Sequence, residues 1–223
     1  MGWCSLLLTH EVRAWLAALG DDDFGRVAFY LDLLRQRQGQ LAAPHSRCLR
    51  GRLRRLEIPG GRRVHRLTYY ADGDGTIVLL TVWRRWRGTH HELERAATAM
   101  RRRSRSSPTR AGPRKGAAMS RRDRWEELRR DRLASPPASA GYQRAQRAFE
   151  LGEQLRALRE AQHLSQAELA RRMGSTQPAI ARLEAGRVAP SLDTLDRAAA
   201  ALGVELVITF QDPPRRDRRQ LSG

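Results

Sequence analysis

The segment from residue 101 to residue 119, RRRSRSSPTRAGPRKGAAM, constrains the fold of this 223-residue chain most strongly. It is rich in Arg, Ser, Pro and Gly and carries almost no large apolar side chains. Such a segment buries too little surface to offset the entropy lost on ordering. We therefore predict a flexible basic linker over residues 101–120 that separates two small domains, which a chain of this length can hold.

The net charge indicates a polyanionic partner. The chain has 42 Lys and Arg residues against 24 Asp and Glu residues, which gives a formal net charge of +18. This excess is typical of proteins that bind DNA or RNA. A basic surface without such a partner is the alternative interpretation.

Neither a cofactor nor a membrane segment is predicted. Cys4 and Cys48 lie far apart and lack the spacing of metal ligands or of a disulfide framework. The first residues have no basic leader, and His10, Glu11 and Arg13 interrupt their apolar run. A signal peptide and a membrane span are therefore not expected, and the predicted location is cytoplasmic.

Before the linker, the sequence pattern predicts an α+β domain over residues 3–100. Hairpin signals, PGG and DGDG, separate three strand-like runs that follow two amphipathic helices. The predicted elements are a strand at 3–9, a helix at 11–19, a helix that begins near Asp21, strands at 49–58, 64–71 and 76–83, and a helix from His91 to about Arg102. The order is β-α-α-β-β-β-α.

After the linker, nearly all of the periodicity is helical. We predict a helical extension over residues 121–150, an all-α domain over 151–210 and a disordered tail over 211–223. The last run of the domain, VELVITF at 204–210, is predicted to be a strand.

Residues 164–204, LSQAELARRMGSTQPAIARLEAGRVAPSLDTLDRAAAALGV, resemble the lambda-repressor-like (Xre/Cro-type) helix-turn-helix family. The resemblance implies a recognition helix whose first turns face base edges in the major groove. Gln177 at the start of that helix is the expected base reader, because glutamine can pair bidentately with adenine. The other residues expected to contact or support DNA binding are Gln166, Ser175, Thr176, Ala179, Arg182 and Arg187.

The same resemblance assigns further properties. Arg159 and Glu184 match positions where members of the family form a structural ion pair. Gln166 matches a residue that contacts a phosphate and braces the first recognition residue, and Arg187 is a phosphate-contacting candidate in the following loop. Readers of this type generally bind two half-sites as dimers, so a homodimer on operator DNA is expected.

Several stretches of the first half resemble the HigB-like branch of the RelE/ParE toxin superfamily. They are THEVRAWLAALGDDD, LRGRLRRLEI, RLTYYADG and IVLLTVWRRWRG, and the likeness covers about residues 5–100. HigB-like relatives are mostly ribosome-dependent messenger-RNA endonucleases, whereas ParE-like relatives inhibit gyrase. The resemblance implies arginines on an open sheet face that stabilise the reacting phosphate, and a group that transfers a proton.

The candidate catalytic residues are therefore Arg66, Arg84, Arg85 and His90, with His91 beside the last. The alternative is a basic face that only binds RNA or the ribosome. The sequence also departs from its relatives, because many of them carry Glu-Leu-Arg where this chain has Arg55-Leu56-Glu57. If the arginine of the relatives is catalytic, Glu57 occupies its position in this chain, and RNA cleavage is expected to be weaker.

The opening MSRRDRWEELRRDRL and the rest of residues 119–210 resemble HigA-like antitoxins. The resemblance implies a sequence-specific DNA-binding transcriptional regulator of a type II toxin–antitoxin system, with both modules in one chain. One alternative is an mRNA endoribonuclease held inactive by its own antitoxin domain, and another is a relic in which only DNA binding survives.

The helices of residues 121–150 are expected to cover the toxin-like domain. Their acids Glu126, Glu127 and Asp131 would then meet arginines of the first half. The alternative is that these helices only extend the DNA-binding domain.

Overall fold

In the computed structural model, the described residues are 4–60, 63–72, 75–83, 89–106 and 125–209. The elements in chain order are β1 (Leu6–Leu8), α1 (His10–Ala17), α2 (Asp21–Gln36), β2 (Ser46–Arg50), β3 (Leu53–Pro59), β4 (Val64–Ala71), β5 (Ile77–Val82), α3 (Thr89–Ser106), α4 (residues 125–133), α5 (Pro136–Ala161), α6 (Gln166–Arg172), α7 (Gln177–Glu184) and α8 (Leu192–Leu202). No helix among these residues is long and apolar enough to cross a membrane.

The first half is built on a five-stranded sheet in the order β1-β5-β4-β3-β2. β1 pairs with β5 in parallel, and all other neighbouring strands are antiparallel. Because side chains alternate along a strand, the sheet has two apolar faces. One face packs against α1 and α2, and the other packs against α3. This is the α+β class that the sequence predicts.

The predicted strand at 49–58 is wrong, because the structure divides it into β2 and β3. Gly51 lies between them with a φ of 54°, and Arg50 pairs with Leu53 across the turn. A glycine without a flanking Asn, Asp or Pro is a weak turn signal, and apolar alternation continues on both sides of it. The observed order is therefore β-α-α-β-β-β-β-α.

The helix α3 is longer than predicted. It begins at Thr89 and continues through Ser106, so residues 101–106 are helical and not part of a linker. Arginine is a good helix former, and its local propensity extends the helix into a segment that has little to bury. The rest of the predicted linker, residues 107–120, lies outside the described residues.

The boundary predicted at residues 150 and 151 falls inside one continuous helix. α5 runs for 26 residues and begins with Pro136 in its first turn, where the missing amide hydrogen costs nothing. Its second half packs with α6, α7 and α8 around a small core that contains Leu155, Leu169 and Ile180. The extension and the helix-turn-helix therefore share this helix.

The predicted strand at 204–210 is also wrong. Residues 204–209 form no strand, and Val207 and Ile208 are 70% and 54% exposed. A strand needs a partner for its backbone groups, and no described strand lies beside this segment. Residues 210–223, which include the predicted disordered tail, lie outside the described residues.

α4 and the first half of α5 complete the core of the α+β domain. Trp125 is 1% exposed, and its ring centroid lies 6.3 Å from that of Phe24. The centroid of the Phe29 ring lies 5.6 Å from that of Tyr142 and 5.7 Å from that of Phe149. The helices of residues 125–150 thus pack on the first half as well as leading into the helix-turn-helix.

Two glycines allow α2 and α5 to cross at close range. A side chain at Gly25 would collide with the backbone of Ala138 and Tyr142. A side chain at Gly141 would collide with the backbone carbonyl of Asp22. The contact between the two halves is therefore a backbone-to-backbone crossing that leaves no room for a β-carbon at either glycine.

The charge arrangement at this crossing is mostly the reverse of the prediction. Glu126 does pair with Arg35, but Glu127 and Asp131 are exposed and no described ion pair joins them to the first half. The arginines belong mainly to α4 and α5, and the acids belong to α2. The pairs are Arg129 with Asp32 at 2.7 Å, Arg132 with Asp21 at 3.0 Å, and Arg144 with Asp22.

Candidate nucleic-acid interface

Local capping interactions define the helix-turn-helix. Ser165 accepts a hydrogen bond from the backbone amide of Glu168, whose carboxylate in turn accepts one from the backbone amide of Ser165 at 2.7 Å. This capping box fixes the start of α6. Gly174 follows α6 with a φ of 60°, and Thr176 then caps α7 by accepting from the amide of Ala179.

The helix α7 has one buried face and one exposed face. Ile180 and Leu183 lie in the small core, whereas Gln177 and Arg182 are exposed. Of the other predicted DNA-contacting residues, Thr176 is exposed and Ser175 and Ala179 are half-buried. The leading turn of α7 therefore presents polar groups to solvent, as a recognition helix requires.

A chain of hydrogen bonds connects Gln177 to a buried ion pair. Gln177 Nε2 donates to Gln166 Oε1 at 2.9 Å, and Gln166 Nε2 donates to Glu184 Oε2 at 2.9 Å. Arg159 Nε donates to Glu184 Oε1 at 2.5 Å, and Arg159 Nη2 donates to Glu184 Oε2 at 3.0 Å. The four side chains form one network that restricts the rotamers of Gln177.

The ion pair at the base of this network is almost completely shielded from solvent. Glu184 is 1% exposed and Arg159 is 8% exposed, and Arg159 Nη1 also donates to the carbonyl of Leu164 at 2.7 Å. The hydrogen bonds to Glu184 raise the pKa of Arg159. Gly152 of α5 makes room for this packing, since a side chain there would press on the backbone of Leu183 and Glu184.

Arg187 does not extend freely into solvent. It follows Gly186 in the loop after α7, and its Nη2 donates to Glu57 Oε2 in β3 at 2.9 Å. Gly186 has a φ of 59° and lies directly against the backbone of Phe149. The residue predicted to contact a DNA phosphate is thus paired with a carboxylate of the first half.

The candidate catalytic residues of the first half are only partly brought together. Arg66 donates from Nε to Glu57 Oε1 at 3.4 Å, and Arg55 pairs with the same carboxylate at 2.8 Å. His90 is exposed in the first turn of α3, as is His91. Arg84 and Arg85 lie outside the described residues, and no hydrogen bond or ion pair among the described residues joins His90 to Arg66.

His45 lies buried where the two halves meet. It is 5% exposed, and its ring centroid lies 5.1 Å from that of Tyr30 and 5.5 Å from that of Phe149 in α5. Burial lowers the pKa of His45 to about 4, so the ring is neutral near pH 7. Uncharged aromatic rings therefore pack at this contact between the two halves, and the carbonyl of His45 accepts a hydrogen bond from the backbone amide of Glu57.

The chain is similar to one protein family and to several known proteins. Residues 155–208 match the Helix-turn-helix family, so this part of the chain carries a helix-turn-helix domain. The chain is 37% identical over 86 residues to Antitoxin HigA1 of Mycobacterium tuberculosis, which is 38% of this chain and 58% of that protein. It is also similar to the Uncharacterized HTH-type transcriptional regulator y4dL of Sinorhizobium fredii, with 48% identity over 56 residues, 25% of this chain and 29% of that protein.

The matched regions thus span less than two thirds of the length of either relative. No solved structure matches the chain.

Proposed function

We propose that this protein is a sequence-specific DNA-binding transcriptional regulator of a type II toxin–antitoxin system, with toxin-like and antitoxin-like modules in one chain. The observation that carries the proposal is the anchored start of α7, where exposed Gln177 is hydrogen-bonded through Gln166 to buried Glu184. Holding the side chain in place before binding reduces the entropy cost of a base contact. The similarity to Antitoxin HigA1 supports the toxin–antitoxin context.

In this proposal, operator DNA is the partner of α7. Gln177 reads a base edge, and the flanking residues Ser175, Thr176, Ala179 and Arg182 contact neighbouring bases or sugars. Gln166 and Arg187 contact backbone phosphates, which fix the register of the protein on the duplex. The regulator acts as a homodimer on two half-sites in the cytoplasm.

The alanine variant of Gln177 tests this proposal. Loss of one bidentate base contact costs about 1–3 kcal/mol, so operator affinity is expected to fall roughly 5- to 150-fold. Thermal unfolding is expected to stay unchanged, because Gln177 is exposed. Fluorescence anisotropy with a labelled duplex from the region upstream of the gene measures the first quantity, and calorimetry measures the second.

Gln146→Ala provides the matched control for this measurement. Gln146 donates to Glu150 at 2.8 Å on the surface of α5 and lies outside the helix-turn-helix. Its removal is expected to leave DNA affinity unchanged. If Gln177→Ala binds the duplex as tightly as Gln146→Ala does, Gln177 is not the base reader.

We further propose that the second half neutralises the toxin-like first half within the same molecule. The packing of α4 and α5 on α2 supports this, because it covers Phe24 and Phe29. Pairing of Glu57 with Arg66 favours the regulator over an active mRNA endoribonuclease that uses Arg66, Arg84, Arg85 and His90 on the ribosome. An arginine bound to an internal carboxylate is a weaker stabiliser of a reacting phosphate.

A further inference from the structure

The single carboxylate of Glu57 contacts three arginine side chains. Its side chain is 11% exposed and meets Arg55 at 2.8 Å, Arg66 at 3.4 Å and Arg187 at 2.9 Å. Arg55 and Arg66 belong to the same sheet as Glu57, whereas Arg187 comes from the helix-turn-helix. If Arg187 leaves, two guanidinium groups remain beside the carboxylate, so release does not strand a buried unpaired acid.

Arg187 offers the same hydrogen-bond donors to a carboxylate and to a phosphate. A guanidinium group fits both acceptors, and each contact is a charge-assisted hydrogen bond. In the structure, Arg187 Nη2 already donates to Glu57 Oε2 at 2.9 Å. The Arg187 side chain is 30% exposed, so part of it meets solvent while its ion pair with Glu57 is intact.

The framework around this ion pair is fixed. α5 contacts α2 through Gly141 and contacts α7 through Gly152, so a single helix spans both halves. Gly186, next to Arg187, abuts the backbone of Phe149 on the same helix. The proposed exchange of partners is therefore a rotation of the Arg187 side chain on a closely packed framework.

From this geometry we propose that Glu57 is an intramolecular competitor of DNA, which holds Arg187 and thereby weakens the binding of the helix-turn-helix to duplex phosphates. The inference rests on the proposed DNA-binding function. It adds that a residue of the first half limits the affinity of the helix-turn-helix for DNA. The acid that departs from the pattern of the toxin family acquires a role in this chain, since it couples the toxin-like sheet to DNA affinity.

The test is the DNA affinity of the full chain with Glu57→Gln, measured on the duplex upstream of the gene. This substitution keeps the shape of the side chain and removes its charge, so affinity is expected to rise about three- to tenfold. Asp72→Asn is the matched control, because it removes one negative charge from an exposed pair with Arg52 in the same half. Its effect reports only the change in net charge.

The Arg187→Ala background separates the specific contact from general electrostatics. In this background, Glu57→Gln is expected to have no effect beyond that of Asp72→Asn, because the arginine for which DNA competes is absent. Glu57→Asp provides a second probe that keeps the negative charge but shortens the side chain by one methylene group, which lengthens the contact with Arg187. It is also expected to raise affinity, and thermal unfolding of each variant verifies the fold.

Equal affinities for Glu57→Gln and Asp72→Asn would overturn the inference, as would a gain that persists without Arg187. Either result would leave the proposed regulator intact if the unmodified chain binds the duplex. If neither the unmodified chain nor any variant binds the duplex, the proposed function itself is overturned.

Discussion

Glu184 joins the stability of the helix-turn-helix to the position of its exposed surface. Its carboxylate accepts from Arg159 on the buried side and from Gln166 on the outer side, and Gln166 in turn orients Gln177. A single side chain with no exposed area therefore supports both the packing of α7 against α5 and the placement of the predicted base reader.

Replacing Glu184 with alanine is expected to destabilise the protein strongly. Arg159 would lose its buried partner and keep only the largely exposed Glu160, and breaking a buried ion pair costs about 3–5 kcal/mol in the free energy of unfolding. Urea denaturation measures this difference. The control is Asp193→Ala, which removes an acid that is 76% exposed and paired with Arg197, and for which about 0–1 kcal/mol is expected. Similar losses in the two variants would show that the Arg159–Glu184 pair contributes little.

At the level of single residues, sequence reasoning works where the interaction is local or where it repeats a family pattern. The pairing of Arg159 with Glu184 and the exposure of Gln177 agree with the resemblance to the helix-turn-helix family. The partner of Arg187 lies 130 residues away in the sequence, and nothing near Arg187 indicates Glu57. The exchanged charges at Arg55 and Glu57 were the one sequence signal, and they did not reveal which residue the acid would bind.

Among the elements, α5 determines how the molecule is assembled. One face of its first half meets α2 at Gly141, and its second half meets α7 at Gly152. The sequence pattern predicts a domain boundary between residues 150 and 151, next to Gly152. In the structure, this glycine lies within the helix and permits the close approach of another backbone.

Gly51, in contrast to Gly152, ends an element: it separates β2 from β3. It lies inside the run of strand-like residues at 49–58, which the sequence pattern predicts to be one strand. Its φ of 54° makes it the turn of a tight hairpin between β2 and β3. Backbone conformation and tertiary contact decide what a glycine does, and neither is visible in local composition.

Gly141→Val tests the crossing of α2 and α5. Valine forms helices better than glycine, so local propensity alone would stabilise the variant. The collision with the carbonyl of Asp22 is instead expected to lower the free energy of unfolding by about 1–3 kcal/mol. Chemical denaturation provides the measurement, and growth of cells that express the variant tests the proposed neutralisation of the first half.

Gln143→Val is the control for this variant. Gln143 lies on the exposed side of the same helix, two residues further along, so valine there meets no neighbouring backbone. Only a small change in stability is expected. If Gly141→Val is as stable as Gln143→Val, then α2 and α5 are not locked by a close backbone contact.

At the scale of the whole molecule, the two halves form a continuous structure. Trp125, Ala138 and Ala145 from beyond the predicted linker belong to the same core as Phe24 and Leu31. The sequence predicted an association between the halves but not the direction of its charges, because composition does not specify which face of a helix is buried.

The most direct measurement of the central claim is the ratio of two dissociation constants for the purified full chain. One is measured with the duplex upstream of its own gene, and the other with a shuffled duplex of the same length and base composition, at the same salt concentration. A regulator that reads sequence is expected to bind the upstream duplex at least about 10³-fold more tightly. Equal affinity for the two duplexes would contradict the assignment of α7 as a sequence-reading helix.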